Sequence, residues 1–257
     1  MVRRRSAAAL MLSACILSGC SQLAPETTSP SVPQIVVTEP SIPTEQTTVP
    51  QTTAPVETTE PAATNAVTEP PVPEADDFVR VLDYVPNSCQ QLRYATTDNF
   101  TGQVIYEFTD AFLRYGTVCK LTVVARELEE MGLGIMIWDA YRPVYAQARL
   151  FEVYPDPQYV SKPGVGRQNH CRGLAIDLTV YDLETGEMLL MPSAFDDFSA
   201  LADRDYWDVS EEAAEHASLL ESVMERNGFT GYRGEWWHYN DNDDYPVEEN
   251  FDPADFN

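Results

Sequence analysis

The chain has 257 residues, 41 acidic against 16 basic, and a formal net charge of −25. Such a surface repels phosphate backbones, which argues against nucleic acid as a partner. The length allows one large domain or two small ones, but composition along the chain leaves much less than the whole available for a core.

Residues 1–20 read as an export signal, with Arg3, Arg4 and Arg5 as the basic start, Ala7 to Ile16 as the apolar stretch and Leu17-Ser18-Gly19-Cys20 as the end. The apolar run is too short to span a bilayer. Its ending resembles the lipobox of bacterial lipoproteins, which implies a diacylglyceryl thioether on Cys20 and a membrane anchor that holds the protein at the extracellular face of the cell membrane, in the cell-wall or periplasmic space. An ordinary secretory signal is the alternative. Loss of the three signal arginines would leave 16 − 3 = 13 basic residues and a net charge of 13 − 41 = −28.

Residues 21–75 are rich in Thr, Pro, Glu and Val, repeat Val37-Thr38-Glu39-Pro40 as Val67-Thr68-Glu69-Pro70, and contain no aromatic residue. They cannot build a core and are expected to be a disordered linker. At about 3.1 Å per residue in an extended polyproline conformation, roughly 55 residues would reach up to about 170 Å, enough for a tether through a cell wall. A glycosylated Thr-rich stalk is the other reading of that composition.

Residues 76–257 carry nearly all the aromatic side chains and are long enough for one well-buried domain. Three cysteines fall there, Cys89, Cys119 and Cys171. Cys89 and Cys119 could pair in an oxidising compartment, or all three could be free thiols.

Val118, Leu121, Val124, Ala125 and Leu128 recur at helical spacing, with Glu127, Glu129 and Glu130 on the other face and Gly132 as a stop, which predicts a core-facing helix over 117–131. Leu133 to Trp138 fits a buried strand. Pro143 opens a second helix that runs to about Tyr154, where Pro155 blocks continuation. Leu174 to Tyr181 reads as a strand, Asp182 to Glu187 as a turn and Met188 to Met191 as its hairpin partner. Ser210 caps a helix with Glu211 and Glu212 in the first turn, Leu219, Leu220, Val223 and Met224 on the core face, and Asn227-Gly228 at the end. Gly234 to Tyr239 looks extended. Helices and strands without regular alternation make the class α+β.

Two of the three histidines sit in Gln168-Asn169-His170-Cys171-Arg172-Gly173-Leu174-Ala175-Ile176-Asp177 and in Glu235-Trp236-Trp237-His238. A hydrolytic zinc site needs three nitrogen or oxygen ligands and an open place for water, and His170, Asp177 and His238 could supply the three. Asp177 stands among Ile176 and Leu178, where an unpartnered carboxylate would be costly. Glu235 would be left for proton chemistry. A regular strand would turn Glu235 and His238 to opposite faces, so a bulge or bend is expected between them. Taken singly, each histidine could equally be a hydrogen-bonded core residue. The third, His216, lies among Glu212, Glu215 and Glu221 and reads as solvent-facing.

These two segments resemble the His-x6-Asp and Glu-x-x-His signatures of the D-alanyl-D-alanine dipeptidases, the VanX-like zinc peptidases. The likeness spans most of the folded domain and includes Tyr94 to Gly102, Trp138-Asp139-Ala140-Tyr141-Arg142-Pro143, and Met191 to Asp196. It implies a single compact domain with a small, mostly antiparallel central sheet flanked by helices and the zinc site at the sheet. It also implies one zinc ion per chain on His170, Asp177 and His238, Glu235 as general base and acid, and Arg142 as stabiliser of the oxyanion. Arg142 stands next to a helix start, where a cation is disfavoured, and a nearby anion would explain it. A surface salt bridge is the plainer account. By the same likeness Tyr94 and Asp196 hold the free ammonium of a small D-amino-acid dipeptide, which separates a dipeptidase from a carboxypeptidase. The family has serine two residues before the first zinc histidine, whereas this chain has the larger Gln168, which leaves the substrate-carboxylate contact and the preferred dipeptide open. A zinc D,D-carboxypeptidase acting on wall stem peptides and a catalytically silent wall-binding lipoprotein are the competing functions.

Overall fold

The computed structural model describes residues 71–256. The signal, Cys20 and the linker as far as Pro70 lie outside them. No helix among the described residues is long and apolar enough to cross a membrane.

The expected α+β class holds. A two-stranded antiparallel ribbon joins β1 (Phe78–Arg80) to β3 (Phe112–Arg114). The main sheet has five strands: β2 (Ser88–Gln90), β4 (Leu133–Asp139), β5 (Ala175–Asp182), β6 (Phe229–Tyr232) and β7 (Glu235–Asp241), in the order β2-β4-β5-β7-β6. Only β2 and β4 run parallel.

Helix α1 (Tyr115–Glu129) buries Val118, Leu121, Val124, Ala125 and Leu128, the stripe seen in the sequence, and the chain turns away at Gly132 with φ +77°. Helix α2 (Val144–Val153) starts behind Pro143, whose missing N–H costs nothing at a helix start. A short helix, α3 (Asn169–Arg172), precedes β5. In α4 (Glu211–Arg226) the Ser210 hydroxyl accepts from the Ala213 N–H at 3.2 Å, and Glu211 and Glu212 complement the positive end of the helix. Its buried face is Ala213, Ala217, Leu220, Val223 and Met224, while Leu219 is half-buried.

Register sorts the side chains of the sheet. Ile135 faces Val180, Ile137 faces Leu178 and Ile176 faces Tyr239 across strand pairs, so these residues share one side. They belong to one apolar cluster with Leu121, Leu128, Leu220 and Met224 of α1 and α4. The other side of β5 and β7 is left for Asp177 and His238.

The hairpin partner at Met188 to Met191 does not form a strand. Met188 makes a single bridge to Tyr181, and the Leu189 N–H donates to the Val180 carbonyl at 3.0 Å. Pro192, which has no N–H to extend a ladder, follows closely, and the chain leaves the sheet toward Asp196. The disulfide question is also resolved: Cys89, Cys119 and Cys171 are all free thiols.

Candidate active site

The site grows out of the sheet register. Asp139 of β4 lies opposite Asp177 of β5, which lies opposite His238 of β7, a row of three side chains across three strands. Asp139 reaches this row because the β4–β5 register shifts between Ile137 and Asp139, where an extra residue, Trp138, bulges out. His170 enters from α3, which ends at Gly173 with φ +73°. A Cβ at Gly173 would stand 2.4 Å from Cε1 of Phe78, so only glycine lets the chain turn there against that ring.

His170, Asp177 and His238 thus converge, with one ligand atom of each within 4.8 Å of the others. His170 Nε2 is 3.5 Å from Asp177 Oδ2 and 3.3 Å from His238 Nδ1, and His238 Nδ1 is 2.8 Å from Asp177 Oδ1. Ligands at about 2.0–2.1 Å in a tetrahedron stand about 3.3 Å apart, so the triangle is of the size zinc needs. The outer contacts fit as well. His170 Nδ1 must donate to the Ala140 carbonyl at 2.7 Å, which leaves Nε2 free to face the other two groups. His238 Nε2 lies 3.0 Å from Asn240 Oδ1, which leaves Nδ1 for the centre.

Electrostatics agree with a cation site. Burial pushes the His170 pKa below the ordinary imidazole value, against the pull of Asp177. Burial alone would raise Asp177, but the facing His170 and His238 hold its carboxyl below the ordinary range. Burial disfavours a charged His238, yet Asp177 outweighs it and raises its pKa, so a proton and a metal compete for this corner.

The three residues line a cavity of about 360 Å³ that also takes in Tyr94, Arg142, Asp196 and Glu235. Glu235 reaches it through the irregularity expected in the sequence. The β6–β7 register jumps from Gly231 opposite Tyr239 to Tyr232 opposite Glu235, and Glu235 Oε2 then comes within 3.8 Å of His238 Nδ1. Burial raises the Glu235 pKa, with His238 acting in the opposite sense.

Arg142 is buried, and its anion is Asp139, not a surface partner. Nη2 donates to Asp139 Oδ2 at 2.6 Å, Nη1 to Gln147 Oε1 at 2.8 Å and Nε to the Tyr106 hydroxyl at 3.1 Å. Asp139 itself has no exposure, and its Oδ1 accepts from Tyr106 and from the Ala140 N–H. Across the pocket the Tyr94 hydroxyl donates to Asp196 Oδ2 at 3.0 Å. Burial, followed by the charge of Asp177, raises the Asp196 pKa well above the ordinary aspartate value. Gln168 lines the same cavity with φ +50°. In the orientation its neighbours require, its amide oxygen accepts from the Val165 and Gly164 N–H groups.

Sequence reasoning missed Asp139, Tyr106 and Gln147, the cage around Arg142, as well as Asn240 beside His238. Asp139 stood in the Trp138 to Pro143 block, but only the folded chain shows which cation it faces. His216 differs from expectation too: it is half-buried and donates from Nδ1 to the Leu190 carbonyl at 2.9 Å.

Comparison with known sequences bears on this geometry. Residues 74–254 match the profile of the family described as D-ala-D-ala dipeptidase. A D-alanyl-D-alanine dipeptidase of Escherichia coli is 40% identical over 166 residues, covering 65% of this chain and 85% of the relative. One from Enterococcus faecium is 34% identical over 57% of this chain and 82% of its own length. One from Streptomyces coelicolor is 31% identical over 63% of this chain and 90% of its own length.

Proposed function

Given that the chain belongs to the D-ala-D-ala dipeptidase family, we propose that it hydrolyses D-alanyl-D-alanine, or a closely similar D-amino-acid dipeptide, by zinc-dependent attack of water during cell-wall peptide turnover. The observation that carries this reading is the convergence of His170, Asp177 and His238 with both imidazoles turned to offer a lone pair to one point.

One zinc ion per chain, held by those three residues, would supply the Lewis acidity that makes water reactive near neutral pH. Glu235, beside His238, takes the proton from the attacking water and delivers it to the leaving amine, so it must start ionised. Arg142 has five N–H donors, of which Asp139, Gln147 and Tyr106 use three. The remaining two are available to the negative charge that develops on the peptide oxygen. The Asp139 cage holds the guanidinium still, so little reorganisation is needed during the reaction.

Asp196, with Tyr94 as its hydrogen-bond donor, binds the free ammonium of the dipeptide. An arriving ammonium favours the ionised carboxylate and offsets the burial that otherwise disfavours it. Gln168, at the cavity wall, contacts the substrate carboxylate end.

The basic start, the apolar stretch and the lipobox-like end at Cys20 support export and lipid anchoring outside the membrane, with residues 21–75 as the tether and 76–257 as the enzymatic domain. A Cys20→Ala chain should leave the membrane fraction. Equal membrane retention of both forms would count against the anchor.

The test of the activity is release of free D-alanine from D-alanyl-D-alanine by purified protein, with and without chelator, beside Glu235→Ala. Activity should vanish with chelator, return with zinc and be lost in the variant. N-acylated dipeptide should resist cleavage. If it is cut as fast as the free dipeptide, the Asp196 clamp is wrong and the enzyme is a carboxypeptidase.

A further inference from the structure

A histidine offers a lone pair from only one ring nitrogen at a time, and the group that holds the other nitrogen decides which. In His238 the nitrogen facing Asp177 and His170 is Nδ1, at 2.8 and 3.3 Å. To serve as a ligand there, the ring must carry its proton on Nε2.

Nε2 lies 3.0 Å from Asn240 Oδ1. Asn240 stands two residues further along β7, so its side chain shares the face of His238, and its backbone is pinned opposite Ala175. An amide could present either its oxygen or its nitrogen. Asn169 removes that freedom, because its Nδ2 donates to the same Asn240 Oδ1 at 2.6 Å. Turning both amides over would put the Asn169 amino group where its buried Oδ1 now stands without a partner. Two stranded N–H donors would replace one stranded acceptor, the more costly arrangement.

We propose that Asn240, oriented by Asn169, is a positioning residue that selects the Nε2–H form of His238 and thereby presents Nδ1 to the metal. This rests on His238 being a zinc ligand. Asn169 is also the residue before His170, so one amide pair ties together the two histidine segments, its members 71 positions apart. The alignment of both histidines then depends on an amide contact made outside the triangle of the three ligand atoms.

The experiment compares purified wild-type protein with Asn240→Leu, which keeps the size and removes the acceptor, and Asn240→Asp, which keeps the acceptor. Zinc affinity is read by competition with a chromophoric chelator, and the His238 tautomer of the zinc form by long-range proton–nitrogen NMR correlations. Loss of an outer contact of this kind weakens metal binding by roughly 10- to 100-fold, which is the result expected for Asn240→Leu together with loss of the ordered Nε2–H signature. Asn240→Asp should bind like wild type and keep that signature. Should Asn240→Leu fail to fold, Asn169→Ala frees the Asn240 amide to turn and is expected to weaken zinc binding in the same direction. Zinc binding by the folded Leu variant within about threefold of wild type, or an Asp variant as weak as Leu, would overturn the inference. Wild-type protein that binds no zinc would instead bring down the ligand assignment on which it rests.

Discussion

Replacing Asp139 by Asn removes one charge from a pair that has almost no contact with water, and its cost can be worked from the contacts. Oδ1 of Asp139 accepts from the Ala140 N–H at 2.9 Å, a donor that cannot turn away, so the asparagine oxygen must stay on that side. Its amino group then faces Arg142 Nη2, which is 2.6 Å from the atom it replaces, and two donors meet. At an effective dielectric of about 20, unit charges about 2.6 Å apart attract by about 6 kcal/mol, a ceiling that desolvation of both groups offsets in large part. Breaking buried pairs costs about 3–5 kcal/mol, and the opposed donors place Asp139→Asn near the middle, about 4 kcal/mol. In a domain of this size each kcal/mol moves the midpoint by about 2–4 °C, so Tm should fall by about 8–16 °C in calorimetry of the metal-free protein. Well below that transition, kcat and kcat/KM should fall together, as for a group that acts in the transition state. A variant that melts within about 2 °C of wild type would refute the claim that this charge holds Arg142.

Three further outcomes are expected. Gly173→Ala forces a left-handed backbone on alanine and drives its methyl into Phe78, so urea unfolding should show a loss of about 2–4 kcal/mol. Ser210→Ala removes the cap of α4 and should cost about 1 kcal/mol by the same measurement. Asp196→Asn should stabilise the metal-free protein at neutral pH while abolishing dipeptide cleavage. The sign follows from the raised pKa of Asp196: between the unfolded value and the folded one the native state holds the extra proton, so its contribution is present at low pH and lost as pH rises through the folded pKa. The advantage of the variant should therefore shrink as denaturation is repeated toward pH values near the ordinary aspartate pKa, and a constant difference at all pH values would contradict the assignment.

Much of the fold was legible because its long elements carry period and punctuation together. The α1 stripe ended by Gly132, the Pro143 start of α2 and the Ser210 cap of α4 are local signals, and the structure keeps them within a few residues. Strands β1, β2 and β3 were invisible, because three residues are too few to show alternation. Met188 to Met191 has the residues of a hairpin strand and a genuine turn before it, but Pro192 ends the pairing after a single bridge. In the site, His170, Asp177, His238 and Glu235 could be singled out by residue type and company. The irregularity in β7 followed from requiring Glu235 and His238 to act at one place. Asp139, Gln147 and Asn240 could not be found this way. Each has an ordinary local setting, and although its partner is only two to five residues away, the backbone path and not the residue type decides whether the two side chains meet.

The irregular β6–β7 pairing has a consequence for what this segment can tolerate. Between Glu235 and Tyr239 the strand advances four residues while its neighbour advances one, and that mismatch alone lets Glu235 and His238 look into the same cavity. Trp236 and Trp237 fill space in the core, and other bulky apolar side chains could take over that task. Adding or deleting a single residue between the acid and the imidazole would rotate one of them out of the cavity. The count of residues in this spacer is therefore under tighter constraint than their identity.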